Sequence, residues 1–309
     1  MWERQLLDGV VKTDRINETW DDVHIHASIK RALQNLTLNF LEPEEFKTGI
    51  LSRASAPSVL LYGPPGTGKT LVARAFAKES GACVLEVSAA DVNQEACGQS
   101  EKIIRAIFSL AKKLMPCVVF IDEADGIFGK RVSGEKSWER SMKTQFLREE
   151  TDKEGVVLIA ATNRPFDMDD ASLRRFPRRV LLDIPEVEER EAILKLQLRG
   201  EVLAEDVNLR QIARETLHYT GSDLKHVAYQ AAVMAVEERR GLAEESVPRP
   251  GGDSPPPESR QGRAAGARVI HQRHLEGAKD VIRPGVSMET LKQIREFHAR
   301  YGNTAKLED

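Results

Sequence analysis

Eight residues, Gly63, Pro64, Pro65, Gly66, Thr67, Gly68, Lys69 and Thr70, fit the pattern G-x-x-x-x-G-K-[ST]. The chemistry they predict is the binding of a nucleoside triphosphate. Glycines let backbone N–H groups turn inward around phosphate oxygens, and a following helix N-terminus adds a favourable dipole. Lys69 would reach the β- and γ-phosphates, and the Thr70 hydroxyl would ligate Mg²⁺. Farther on, CVVFIDEAD is an apolar run whose end carries two adjacent acids, Asp122 and Glu123. Asp122 is suited to hold Mg²⁺ through its water shell, and Glu123 to polarise an attacking water as a general base. In ATNRP, Asn163 either bonds the attacking water or γ-phosphate, or only shapes a turn before Arg-Pro. ASLRRFPRRV gathers Arg174, Arg175, Arg178 and Arg179. Two of these reaching outward would stabilise transition-state charge on a γ-phosphate; a surface basic turn is the alternative.

Such residues need elements to hold them. SVLLY (58–62), CVLEVS (83–88), CVVFID (117–122), VVLIAAT (156–162) and RVLLDI (179–184) read as short buried strands. Between them KTLVARAFAKES and EKIIRAIFSLAKKL read as amphipathic helices; in the second, Ile103, Ile104, Ile107, Phe108 and Ala111 share one face. This alternation predicts an α/β fold, a parallel P-loop sheet flanked by helices. The phosphate motif lies between the first strand and first helix, and the acids lie at a strand's C-terminal end, where ligands of such sheets gather. After Pro185 only helical patterns follow, which predicts a small all-helical lid domain. The expected organisation is an N-terminal extension (1–18), the large α/β domain (19–185), the lid (186–240), a disordered Pro/Gly-rich linker (241–267) and C-terminal helices of the lid (268–309).

The 309 residues suffice for one large and one smaller domain, and a formal net charge of −3 removes any bulk basic field for nucleic acid or acidic membrane. Three cysteines, Cys83, Cys97 and Cys117, fit neither a metal-ligand spacing nor a disulfide framework. A reducing, intracellular compartment is therefore expected. Cys83 and Cys117 should be buried strand residues. No run of about eighteen apolar residues occurs, so the chain as written spans no membrane.

In order and spacing, LLYGPPGTGKT, VVFIDEAD, ATNRP, LRRFPRRV and GSDLKHVAYQAA resemble the AAA ATPases. The paired arginines, the TWDDV entry and the helical C-terminus resemble the meiotic clade, which includes spastin, katanin, vacuolar-sorting ATPases and mitochondrial outer-membrane protein extractors. FSLAKKLMPCVVFIDEAD and REAILKLQL are most similar to the extractors, and ERQLLDGVV to their large fungal relatives. The resemblance implies ATP and Mg²⁺ as ligands and an ATP-hydrolysing ring, a homo-hexamer, that remodels or extracts a protein substrate. No direct contact with nucleic acid is implied. Gly63 to Thr70 with Leu71 become the nucleotide cradle, Thr70 and Asp122 the Mg²⁺ residues, Glu123 the base and Asn163 the sensor. Arg174 and Arg175 would reach into a neighbouring subunit's site. Asp22, Val23 and His24 align with the backbone flanking adenine, and Gly221 and Ser222 with the lid turn on its other side. No N-K-x-D guanine signature is present. Extractors carry a membrane anchor before this region, so a place on the mitochondrial outer membrane facing the cytosol would need an anchor outside this chain or a partner; a cytoplasmic protein is the other expectation.

Three departures qualify the resemblance. Ile25 and His26 stand where the family commonly has Gly-Leu beside adenine. Ala96, Cys97 and Gly98 stand where a pore loop carries an aromatic, an apolar residue and glycine, so the flat ring that grips a polypeptide is replaced by a methyl group. Trp138 is either a substitute grip or a packing residue. REETDKEG replaces a Trp-Asp-Gly turn expected between subunits. Hence a second class stays open, an ATP-dependent binding or assembly switch that does not thread substrate. A microtubule-severing relative is a third, against which Glu95 and Glu135 count because acidic tubulin tails favour basic pore loops.

Overall fold

The structure, a computed structural model, describes residues 2–36, 38, 44–45, 48–49, 57–92, 99–130, 143–146, 155–245 and 268–303. The expected strands run Ser58–Tyr62 (β2), Cys83–Ser88 (β3), Cys117–Asp122 (β4) and Val156–Thr162 (β5), and the last, Arg178–Leu181 (β6), is shorter than predicted. They form one sheet, β3-β4-β5-β2-β6, with every one of these pairings parallel. Beyond Leu181 the chain leaves: the Leu182 N–H bonds the Tyr62 carbonyl at 2.8 Å, and the Ile184 N–H bonds the Asp183 carboxylate at 2.8 Å.

Alternate residues of each strand feed two cores. Leu60, Tyr62, Val119 and Ile121 face one, which is closed by Ile103, Ile104, Ile107 and Phe108 of α5 (Gln99–Lys113). Val59, Leu61, Val118 and Phe120 face the other, closed by Val72, Ala73 and Phe76 of α3 (Lys69–Glu79). Near-continuous apolar strands are what a sheet covered on both faces requires. Val59, Leu60 and Leu61 are fully buried, each contributing about 1.5–3 kcal/mol of hydrophobic stabilisation.

The large unit comprises Met1–Ile184 together with Val286–Asp309, which corrects two expected boundaries. The N-terminal residues are no appendage. α1 (Trp2–Leu6) lies against α5, with Glu3 paired to Lys113 at 2.8 Å, and β1 (Val10–Val11) adds an antiparallel edge to β3. The Thr13 hydroxyl bonds the Ala82 carbonyl at 2.8 Å, and Glu18 pairs with Arg74 at 3.1 Å. The last helix, α12 (Met288–Tyr301), belongs to this unit and not to the lid. Ile294 and Phe297 are buried in the first core, and Tyr62 meets Phe297 edge-on with centroids 5.1 Å apart.

The second unit, Pro185–Gly285, contains α8 (Val187–Gln197), α9 (Leu209–Glu215), α10 (Gly221–Glu245) and α11 (Gln272–Val281) around Leu194, Ile212, Leu224, Val227 and Leu275. It is not purely helical. Val202–Leu203 (β7) pairs in parallel with Val269–Ile270 (β8), a ladder too short for strand periodicity to reveal. α10 also runs past residue 240, so the expected linker starts later; residues 246–267 lie outside the described residues. Among the described residues the other short α-helices are α2 (Ala27–Gln34), α4 (Ala89–Val92), α6 (Asp125–Phe128) and α7 (Asp170–Leu173). Among the described residues no helix is long and apolar enough to cross a membrane.

Candidate functional site

The phosphate motif joins β2 to α3 as its spacing predicts. A Cβ on Gly63 would sit 2.0 Å from the Leu182 carbonyl oxygen, so only glycine lets the loop leave the sheet here. Gly68, at φ 88°, enters α3 from the left-handed region. Lys69 is 93% buried, and its ammonium lies 3.0 Å from the Gly63 carbonyl and 2.7 Å from that of Pro64. Burial pushes its pKa down to about 8, with Asp122 opposing the shift. An ammonium drawn down by burial and held by two carbonyls and, at 3.5 Å, the Thr67 hydroxyl is set to exchange these neutral acceptors for phosphate oxygens. The Thr67 hydroxyl bonds the Pro64 carbonyl at 3.0 Å, while Pro65 and Gly66 are exposed at the loop's tip.

The two strand-end acids diverge. Asp122 accepts the Thr70 hydroxyl at 3.3 Å and the Glu123 N–H at 2.9 Å. One hydroxyl beside one carboxylate suits Mg²⁺, which keeps several waters and takes its other ligands from phosphate. Glu123 is exposed and adopts φ 50°, a left-handed conformation costing a non-glycine residue of order 1–3 kcal/mol. The turn is fixed from below by the Ala124 N–H on the Ala161 carbonyl at 2.9 Å. Asn163 follows β5, the neighbouring strand, and its Oδ1 is buried without a partner, an acceptor waiting for a donor. Thr162 braces this end of the sheet: its hydroxyl donates to Asp125 at 2.5 Å and accepts the Arg164 N–H at 2.9 Å.

The four arginines divide. Arg178 donates to the Ala32 carbonyl at 2.8 Å, and Arg179 is spent on backbone carbonyls of its own chain. Arg174 and Arg175, at the end of α7, are exposed, and neither guanidinium has a partner among the described residues. The same fold thus ties one pair to backbone carbonyls and leaves the other untied among the described residues.

The adenine-flanking segment follows a capping box in which Thr19 and Asp22 bond reciprocally, with the Thr19 N–H 3.0 Å from the Asp22 carboxylate. Val23 and Ile25 pack on the second core, while His24 and His26 are exposed. Gly221 and Ser222 open α10 in the lid unit, where Asp223 accepts the Thr220 N–H at 2.9 Å. Ala96, Cys97, Gly98, Trp138, Glu95, Glu135 and the REETDK strip lie outside the described residues. Cys117 is buried as expected, whereas Cys83 is only partly so.

Sequence reading missed the braces. Thr162, Asp125 and Ser58 are polar residues at strand ends or helix starts, and no spacing rule marks them. By pattern Tyr62 is only a strand residue, yet its hydroxyl lies 2.6 Å from His298 Nδ1, joining the phosphate-loop strand to α12.

Residues 59–184 match the family model "ATPase family associated with various cellular activities (AAA)", and residues 206–246 match the AAA+ lid domain. Spastin of Drosophila persimilis is 41% identical over 242 residues, covering 75% of this chain and 30% of the relative. Spastin of Anopheles gambiae is 40% identical over 228 residues, 71% of this chain and 27% of the relative. The chain therefore spans about a third or less of the length of these curated relatives. Among solved structures, the FIGL-1 AAA domain in complex with ADP superposes with a TM-score of 0.76 at 28% identity, covering 97% of this chain and 98% of that one. A structure described as the basis for katanin self-assembly gives 0.73 at 28% identity, with 96% of each chain covered.

Proposed function

Since the chain belongs to the AAA ATPases, its large domain and lid both matching that family, we propose that it works as a homo-hexameric ring that spends ATP on remodelling a protein substrate. The observation that carries the oligomeric part is the division of the arginines: one copy holds a cradle and acids, while Arg174 and Arg175 are exposed and have no partner among the described residues.

In the chemistry we infer, the N–H groups of Gly66 to Leu71 wrap the phosphates. Lys69 leaves the Gly63 and Pro64 carbonyls for the β- and γ-phosphate oxygens. Thr70 and Asp122 would hold Mg²⁺, which would supply positive charge against the triphosphate. Glu123 orients a water in line with the γ-phosphorus and accepts its proton. Asn163 accepts from that water through its buried Oδ1, or donates from its Nδ2 amide to the γ-phosphate. Asp22 to His24 and the Gly221–Ser222 turn are the residues assigned to adenine. Arg174 and Arg175 of a neighbour complete the charge. Nothing in this scheme involves nucleic acid. A cytosolic setting is proposed, with membrane association only through an anchor or partner outside this chain.

Microtubule severing is the second reading, favoured by 41% identity to spastin and by the likeness to a katanin structure. Extraction of membrane proteins rests on motif likeness alone. The discriminating experiment measures ATP turnover with taxol-stabilised microtubules and, separately, with an unfolded tagged protein. Filament loss with stimulated turnover selects severing; unfolding of the tagged protein without filament loss selects general remodelling. Neither response, with ATP still hydrolysed, selects the non-threading switch.

A further inference from the structure

Arg179 lies on β6, opposite Leu60 of β2, and its guanidinium makes three bonds. Its Nη2 donates to the Leu173 carbonyl at 2.7 Å, its Nε to the Phe176 carbonyl at 3.0 Å and its Nη1 to the Tyr301 carbonyl at 2.9 Å. Leu173 ends α7 and Phe176 follows three residues later. The two carbonyls therefore bracket Arg174 and Arg175. A helix C-terminus leaves carbonyls without intrahelical donors, and a planar guanidinium with five N–H groups can serve several at once. Between the bracketing bonds, the Ser58 hydroxyl, 1% exposed, donates to the Arg175 carbonyl at 2.6 Å. Three carbonyls in four residues are thus pinned by side chains from β2, whose C-terminal end leads into the phosphate loop, and from its neighbour β6. Phe176 is buried at the end of this turn, and Phe128 meets it edge-on at 5.7 Å.

We propose that Arg179, assisted by Ser58, is a positioning residue that aims Arg174 and Arg175 at the neighbouring copy's nucleotide, and that its Tyr301 bond ties the aim to α12. The proposal rests on the reading that these two arginines act between copies. Among the described residues their side chains have no partner of their own, so the backbone fixes the point from which they reach. A displacement of about 1 Å at such a group costs on the order of a hundredfold in rate. Lysine at 179 would keep the charge but could not span three carbonyls.

The test uses the full chain at concentrations where it assembles, with mass, ATP binding and turnover measured together. Arg179→Ala should assemble and bind ATP like the wild type while turnover falls about a hundredfold; Arg179→Lys and Ser58→Ala should show smaller losses of the same kind. In an Arg174→Ala/Arg175→Ala background, Arg179→Ala should cause no further loss, because there is nothing left to aim. Mixed with Glu123→Gln subunits, which cannot hydrolyse but carry well-aimed arginines, Arg179→Ala subunits should regain turnover above the sum of the separate preparations. An additive loss in the triple variant, or no recovery on mixing, makes Arg179 an ordinary structural residue and overturns the proposal. If Arg179→Ala does not assemble, Arg179→Lys and Ser58→Ala answer the same two questions. Unchanged turnover in Arg174→Ala/Arg175→Ala itself would instead sink the shared-site reading, a different and separately visible failure.

Discussion

The phosphate loop and the arginine turn after α7 occupy neighbouring strands and are built on opposite plans. In the loop the working side chains are already engaged: Lys69 holds two carbonyls and Thr70 holds Asp122. In the turn it is the backbone that is engaged, at Leu173, Arg175 and Phe176, while the Arg174 and Arg175 guanidiniums hold nothing among the described residues. A cradle that must recognise its ligand in its own copy can be preset by its own side chains. A group meant for another copy's ligand can be preset only through its backbone. On the proposed reading, the charge required for cleavage is divided between copies.

If that contrast is right, removing the outward pair has the largest effect. Arg174→Ala/Arg175→Ala should lower turnover about a thousandfold while ATP binding changes little, read by steady-state hydrolysis and equilibrium nucleotide binding. Glu123→Gln, on the inward side, should cost about a hundredfold or more and leave ATP bound. Mixing it with the arginine variant should restore turnover, since each supplies what the other lacks.

Lys69 sharpens the contrast through pH. Its pKa is depressed to about 8, and phosphate binding requires the charged form, so ATP affinity should fall about tenfold between pH 8 and 9.2. Stability runs the other way. Between about 8 and 10.5 the unfolded chain binds the proton that the folded chain has lost, so this lysine makes the empty protein more stable as pH rises through that window. Lys69→Met should flatten both slopes, checked by calorimetric titration and thermal denaturation.

The smallest effect belongs to the tie between the loop strand and α12. Tyr62→Phe should cost about 1 kcal/mol, a shift of a few degrees in Tm. Burial raises the Tyr62 pKa and lowers that of His298. The neutral His298 contributes stability that is complete above the unfolded value near 6.5 and is lost as pH falls below it.

Much of this was legible in the residue order, but only where the pattern was long or chemically loaded. β2, β3, β4 and β5 begin and end where their apolar runs do, because a two-sided sheet admits few polar residues. β1 and the β7–β8 ladder escaped because two residues have no periodicity. The return of α12 to the large unit escaped because an amphipathic helix does not say which core it serves; Phe297 and His298 against Tyr62 decide it. The four arginines show the limit most clearly. Arg174, Arg175, Arg178 and Arg179 are chemically identical, and only strand register and the end of α7 determine which are consumed by the fold.

The central claim is that cleavage is shared between copies, and it is tested most directly by measuring molar mass and ATP turnover per subunit together across a dilution series. The account predicts that turnover per subunit collapses as the assembly dissociates, and that Arg174→Ala/Arg175→Ala is inactive even when fully assembled. A monomeric preparation that hydrolyses ATP at the assembled rate, indifferent to loss of those two arginines, would contradict it.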